Sequence, residues 1–166
     1  MLENVQKELN AFAKYVISQS RANLTRAKKN SSKQLYNSLD SDLKVSENSF
    51  SLSFLMEDYG VFQDKGVSGV KKKYNTPYSY TTKMPPPSKM DKWIVRKGIA
   101  PKDDKGKFIS RKSLQFMIAR SIFNNGIKPS LFFTKPFKKA FKNLDKDIVK
   151  AFKLDVEQLL ETTINN

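Results

Sequence analysis

The chain has 166 residues and a formal net charge of +15, from 31 Lys and Arg against 16 Asp and Glu. It contains no Cys, which excludes disulfides and thiolate metal sites. It contains no His, which removes the commonest general base and rules out Ser-His-Asp and Cys-His constellations within the chain.

No apolar run approaches the ~20 residues that cross a bilayer. The N-terminus lacks a basic stretch followed by an apolar one, so the chain is expected to be cytosolic at synthesis. A single domain over 1–166 is the expectation at this length. The charge is uneven: +3 over residues 1–50, +5 over 51–100, +9 over 101–150 and −2 from 151 onward. Such a balance favours a polyanion or an acidic protein surface. Lys outnumbers Arg 26 to 5, however, and Arg is the usual base reader, so plain solubilisation by Lys remains open.

Residues 2–28 read as a helix, with Leu2, Val5, Leu9, Phe12, Val16 and Leu24 at 3-4 spacing. A polar break follows, and Gln34–Leu39 suits a helical turn. Asp42–Val45 and Ser49–Met56 read as a hairpin turning at Ser46-Glu47-Asn48. In it Phe50, Leu52, Phe54 and Met56 point one way and Ser51 and Ser53 the other. Tyr59 to Phe62 reads as a further short strand or a helical turn. Gly60 and Gly66 there permit backbone conformations that a Cβ opposes.

Residues 67–87 are the least regular part. Lys71-Lys72-Lys73 precede Tyr74, Tyr78 and Tyr80, and Pro85-Pro86-Pro87 close the stretch. It reads as a long exposed loop or flexible hairpin. Ser88 is placed to cap a helix with Asp91 at N3, Met90, Trp93 and Ile94 on its apolar face, and Gly98 as its stop. Asp103-Asp104-Lys105-Gly106 marks a turn. Ser110 caps the next helix, with Leu114, Met117, Ile118 and Ile122 inward and Gly126 ending it. Ile127–Phe133 reads as extended. Pro136 suits the start of a final helix over about 136–162, striped by Phe137, Phe141, Leu144, Ile148, Phe152, Val156 and Leu159. The fold class is therefore α+β: a long N-terminal helix, a small antiparallel sheet with a long loop, two middle helices and a long C-terminal helix.

Glu57-Asp58 and Asp103-Asp104 are the paired carboxylates that phosphoryl chemistry with Mg²⁺ would need, and a phosphodiesterase requires all four to converge. Capping of a Lys-rich turn is the simpler role for the second pair. No phosphate-cradling or dinucleotide-binding glycine motif is present. Lys71–Lys73 with the tyrosines beyond them suit a nucleic-acid backbone with stacking bases, or a solvated loop. Lys135, Lys138, Lys139, Lys142, Lys146 and Lys150 line the polar face of the last helix. That face suits a polyanion or membrane surface, or plain solvent opposite a core stripe. Trp93 reads as core, and Phe132-Phe133 beside Pro136-Phe137 suit the core as well.

The order of these elements resembles the neck or tail-completion (head–tail joining) proteins of tailed bacteriophages. The residues that carry the resemblance are Leu35-Tyr36-Asn37-Ser38, Tyr59-Gly60 through Gly66, and Gly126-Ile127-Lys128-Pro129 with Phe132. The family's Gly before Leu35 is missing here. The resemblance implies a structural virion protein and not an enzyme, with no cofactor, metal or catalytic residue. It implies a ring of six or twelve copies between the portal or connector and the tail, with the packaged DNA in the channel as a further partner and no membrane partner. It places the protein in the virion, and in the host cytoplasm during assembly. The contact surfaces expected on this reading are the 67–87 segment and the sheet edge near Tyr59–Gly66. The named interface residues are Tyr59, Phe62, Lys71, Lys72, Lys73, Tyr74, Tyr78, Tyr80, Phe132 and Phe133. The alternative from another class is a non-specific basic nucleic-acid-binding protein.

Overall fold

The computed structural model describes residues 2–46 and 49–164. In chain order its elements are helix α1 (Glu3–Arg26), α2 (Gln34–Ser38), strands β1 (Asp40–Ser46) and β2 (Ser49–Leu55), α3 (Gly60–Lys65), a 3₁₀ turn (Pro87–Met90), α4 (Asp91–Lys97), α5 (Arg111–Asn125) and α6 (Thr134–Ile164). This is the α+β arrangement that the sequence predicts. Where one domain over 1–166 is expected, the residues sort into two compact units. The first holds residues 1–26, 35–57 and 132–166, and the second holds 27–34 and 58–131.

In the first unit α1 forms because Val5, Phe12, Ala13, Val16, Ser20 and Leu24 fall on one buried face. The hairpin is a two-stranded antiparallel sheet running from Asp40↔Leu55 to Ser46↔Ser49. Its alternation is the predicted one: Phe50, Leu52 and Phe54 are partly covered while Ser49, Ser51 and Ser53 are exposed. Glu47 and Asn48 of the expected turn lie outside the described residues. A cluster of rings joins three elements. Phe54 of β2 meets Phe12 of α1 at 6.0 Å, Phe133 at 5.2 Å and Phe137 of α6 at 5.9 Å, all edge-on. Beside it Leu24, Leu35, Leu39 and Phe132 form the buried core. The Arg21 guanidinium donates to the carbonyls of Tyr36 and Leu39 and lies over the Tyr36 ring, which satisfies carbonyls left over at the end of α2.

α6 packs along α1, and here the expected stripe is corrected. Pro136, Ala151 and Asp155 are buried, and Phe137, Leu144 and Ile148 are half-covered. Phe141, Phe152, Val156 and Leu159 stay 57%, 50%, 36% and 64% exposed. α1 covers one flank of a broad apolar arc. A small residue such as Ala151 lets the helices approach closely, and the large rings are left on the uncovered flank.

The second unit is organised by a backbone crossing. The Val67 N–H donates to Ile127 O at 2.9 Å, and the Ile127 N–H donates to Val67 O at 2.7 Å. Ser68 bonds in turn to Tyr78 and Tyr80, and the N–H groups of Lys71 and Lys72 donate to Asn124 O at the end of α5. Residues Gly66–Gly69 are therefore buried, and the 67–87 segment, expected as a long exposed loop or flexible hairpin, has a bonded base that carries exposed residues at 70–73. Glycine is required where the strands touch. A Cβ on Gly69 would collide with the Asn124 carbonyl, and one on Gly126 (φ +71°) with the Val67 carbonyl.

Of the two readings of Tyr59–Phe62, the helical turn is the one found, as the N-cap and first turns of α3. Four further expectations are corrected. Gly60 there has no positive φ. Asp91 is not an N3 capping residue. It opens α4, and its carboxylate accepts from Gln115 Nε2 at 2.7 Å and pairs with Arg111, which ties α4 to α5. Trp93 is 40% exposed, because Ile94 takes the buried position of this short helix. In α5, Met117 is exposed, because Leu114 and Ala119 are the residues that turn inward. The Ser110 cap, the Gly98 stop in the left-handed region and the Gly126 stop stand where predicted.

Candidate interaction site

Four of the sequence-predicted site residues converge. Tyr59 and Phe62 stand on the first turns of α3, which begins where Met56 and the polar Glu57-Asp58 end the strand. Tyr78 and Tyr80 flank Ser79, whose neighbours are bonded to Ser68, so their rings are carried on a fixed backbone. With Pro77 and Ile127 they line a groove of about 560 Å³. Phe62 and Tyr78 meet edge to face at 4.8 Å. Tyr80 packs on Phe123 at 6.3 Å, and burial pushes its phenol pKa above the ordinary value. Tyr59 and Phe62 remain 38% and 41% exposed, so the groove offers apolar ring surface with hydroxyls on it.

The C-terminal end of α3 is secured underneath. The N–H groups of Ser130 and Leu131 donate to Asp64 O, and the Ser130 hydroxyl donates to Gln63 O. Asp64 is buried. Lys29 is half-buried in the same unit; desolvation lowers its pKa and the Asp64 charge partly offsets that. Nothing local in the sequence marks this pair, which is 35 positions apart.

Lys71, Lys72 and Lys73 are exposed on the turn that is bonded to Asn124. The Lys72 ammonium lies 5.7 Å from the centre of the Tyr74 ring. None of the three lysines lines the groove. Phe132 and Phe133, expected at an interface, belong to the interior instead. Phe132 is 1% exposed among Leu24, Leu35 and Leu39, and Phe133 packs on Phe54 and Phe137. Rings of this size next to the start of α6 are taken up by the chain's own core before any partner can reach them.

The carboxylate pairs do not build a metal centre. Asp103 Oδ1 accepts from the Lys105 and Lys107 N–H groups at 3.0 and 2.8 Å and so closes its own turn. Among the described residues no group of three acidic side chains is placed to hold a metal ion, and no helix is long and apolar enough to cross a membrane. The first unit also carries an open groove of about 860 Å³ beside Lys14, Arg21 and Arg26, which sequence reasoning missed; its Arg21 is already committed to carbonyls of the chain. No family model, no curated protein and no solved structure matches this chain.

Proposed function

We propose that this protein is a structural virion subunit of a tailed bacteriophage, a neck or tail-completion component that forms a ring joining the portal or connector complex to the tail. The observation that carries the reading is that each unit leaves a protein-like surface open. In the first, the hairpin has only two strands, so β1 and β2 each keep an outer edge without a strand partner among the described residues. In the second, the groove of Tyr59, Phe62, Tyr78 and Tyr80 is built and empty of the chain's own side chains. A ring closes by heterologous contacts, which need two different patches on each subunit. A strand edge and an aromatic groove are two such patches. The reading otherwise rests on the resemblance carried by Tyr59–Gly66 and Gly126–Pro129.

Light scattering at low and moderate salt, with negative-stain electron microscopy, tests this. A closed multiple of the 19.1 kDa subunit that survives salt is expected. A monomer at every concentration, with no ring on addition of portal or tail components, overturns it. The second reading, non-specific nucleic-acid binding, is favoured by the exposed lysines of α6 and of the 71–73 turn. It requires duplex or single-stranded DNA binding that falls steeply with salt.

A further inference from the structure

We propose that the groove between α1 and the open edge of β1 takes an extended acidic segment of a partner protein, which adds to β1 as a third strand. The inference rests on the reading above for its use of that edge as a contact surface, and goes further by naming the chemistry of what docks there.

The groove lies wholly within the first unit and measures about 860 Å³. One wall is α1 and the other runs from Tyr36 to Ser41, so the groove borders the start of β1. Ile17, Tyr36 and Leu39 give it apolar surface, and Lys14, Arg21 and Arg26 give it cations. None of these three is paired with a carboxylate among the described residues. Arg21 donates to the carbonyls of Tyr36 and Leu39, and Arg26 donates to Asn23 Oδ1. One carboxylate, Asp40, is in the lining, so the groove keeps a net of two positive charges. The other acids nearby do not cancel it. Asp42 pairs with Lys44 at 3.9 Å, Glu8 lines the flank of α1 that faces α6, and Glu3 is offset by Lys7 at the far end of the helix.

The backbone of β1 supplies the second half of the site. The Ser41 N–H donates to Asp40 Oδ1 at 2.8 Å, which puts it on the open edge and already facing a carboxylate oxygen. Alternation along the strand sets the backbone groups of Leu43 and Val45 on the same edge, and Val45 is 51% exposed. An added strand satisfies these groups, and its side chains then alternate between the α1 side and solvent. Carboxylates on one face of such a strand repeat every ~7 Å. Lys14 and Arg21 stand two turns apart, ~10 Å along the helix, with long stems that close the difference. A nucleic acid would bring phosphates to the same cations but has nothing to offer the backbone edge. Charge thus selects the segment and the ladder holds it.

The probe is a fluorescent ~10-residue peptide of alternating Glu and Val, titrated into the full chain and followed by anisotropy. Binding is expected at least ~10-fold tighter than for the same peptide with Gln in place of Glu, and weaker as salt rises. Lys14→Glu combined with Arg26→Glu is expected to lower the affinity at least ~10-fold with unchanged helical circular dichroism. Every second N–H of an added strand faces β1, so N-methylation of either the Glu or the Val residues is expected to abolish binding, and methylation of the other set to spare it. No binding up to millimolar peptide, an affinity unchanged in the double variant, or binding that survives both methylations overturns the proposal. So does single-stranded DNA that binds through Lys14 and Arg26 where the peptide does not. Rings that form while the peptide fails overturn this inference alone; peptide binding by a chain that closes no ring overturns the ring alone.

Discussion

Asp155 and Asn4, 151 positions apart, are joined by two hydrogen bonds: the backbone N–H of Asn4 donates to Asp155 Oδ1 at 3.0 Å and its side-chain amide at 2.9 Å. The Val5 N–H donates to Oδ2 at 3.1 Å. A carboxylate on α6 thus supplies the cap that α1 lacks in its own sequence. Burial works to raise the Asp155 pKa, but the hydrogen bonds from Asn4 and Val5 outweigh it and hold the carboxyl below its ordinary value of 3.8. A depressed folded value means that the stabilisation is fully present above the unfolded value and fades as pH falls through the folded one. Asp155→Asn is expected to lower the thermal midpoint at pH 7 and to flatten its decline below about pH 4. Thermal melts followed by circular dichroism from pH 7 to pH 2 check this; parallel curves for the two proteins would count against the cap.

The crossing of Val67 over Ile127 predicts unequal costs for three glycines. Gly98 has φ +60° and open space around its missing side chain, so Gly98→Ala carries only the left-handed penalty, ~1 kcal/mol. Gly126→Ala adds a collision with the Val67 carbonyl and is expected to cost ~3 kcal/mol or more. Gly69→Ala, facing the Asn124 carbonyl, belongs with Gly126. Urea unfolding of the three variants orders them.

Phe132 and Tyr59 separate core from surface. Phe132→Ala is expected to cost ~3–5 kcal/mol, since the ring is buried with Leu24, Leu35 and Leu39. Tyr59→Ala, at an exposed wall of the groove, is expected to change stability by less than ~1 kcal/mol. On the proposed function it would nonetheless reduce assembly with partner proteins. Chemical denaturation with light scattering in parallel reads both effects.

If nucleic acid is the partner, the lysine turn sets a number. Replacing Lys71, Lys72 and Lys73 by Ala would lower the salt slope of DNA binding by up to ~3, because each phosphate contact contributes ~0.9. The melting temperature should hold, as the backbone N–H groups of Lys71 and Lys72 still reach Asn124 O. An unchanged slope would remove the turn from any DNA contact. Filter binding across a salt series measures it.

What was legible in the sequence was what is decided locally. The alternation from Phe50 to Phe54, the Ser110 cap and the stops at Gly98 and Gly126 each depend on a few neighbouring residues and stand where they were read. Which arc of α6 is covered depends instead on α1, so Phe141 and Leu159 could not be told from Phe137 by period alone. Trp93 and Met117 failed for the same reason: hydrophobicity puts a residue on the apolar side of a helix, and tertiary packing decides how much of that side is covered. The Asp155 cap and the Lys29–Asp64 pair carry no local signal at all. Of the site, Tyr59, Phe62, Tyr78 and Tyr80 were named as contact residues on two separate stretches; that they converge, and the backbone crossing that fixes the last two, depends on tertiary pairing and was not legible.

The division of the chain into units fixes an order of events at the ribosome. Most of the second unit is one continuous stretch, 58–131, and its partners emerge together. The first unit waits: α1 leaves the exit tunnel early, but the residues that cover its face and cap its first turn belong to α6. Until those arrive, Phe12 has Phe54 of the hairpin beside it but not Phe137 of α6. A growing chain of this protein therefore holds a part-covered amphipathic helix until α6 emerges, the kind of transiently exposed apolar surface on which chaperones act.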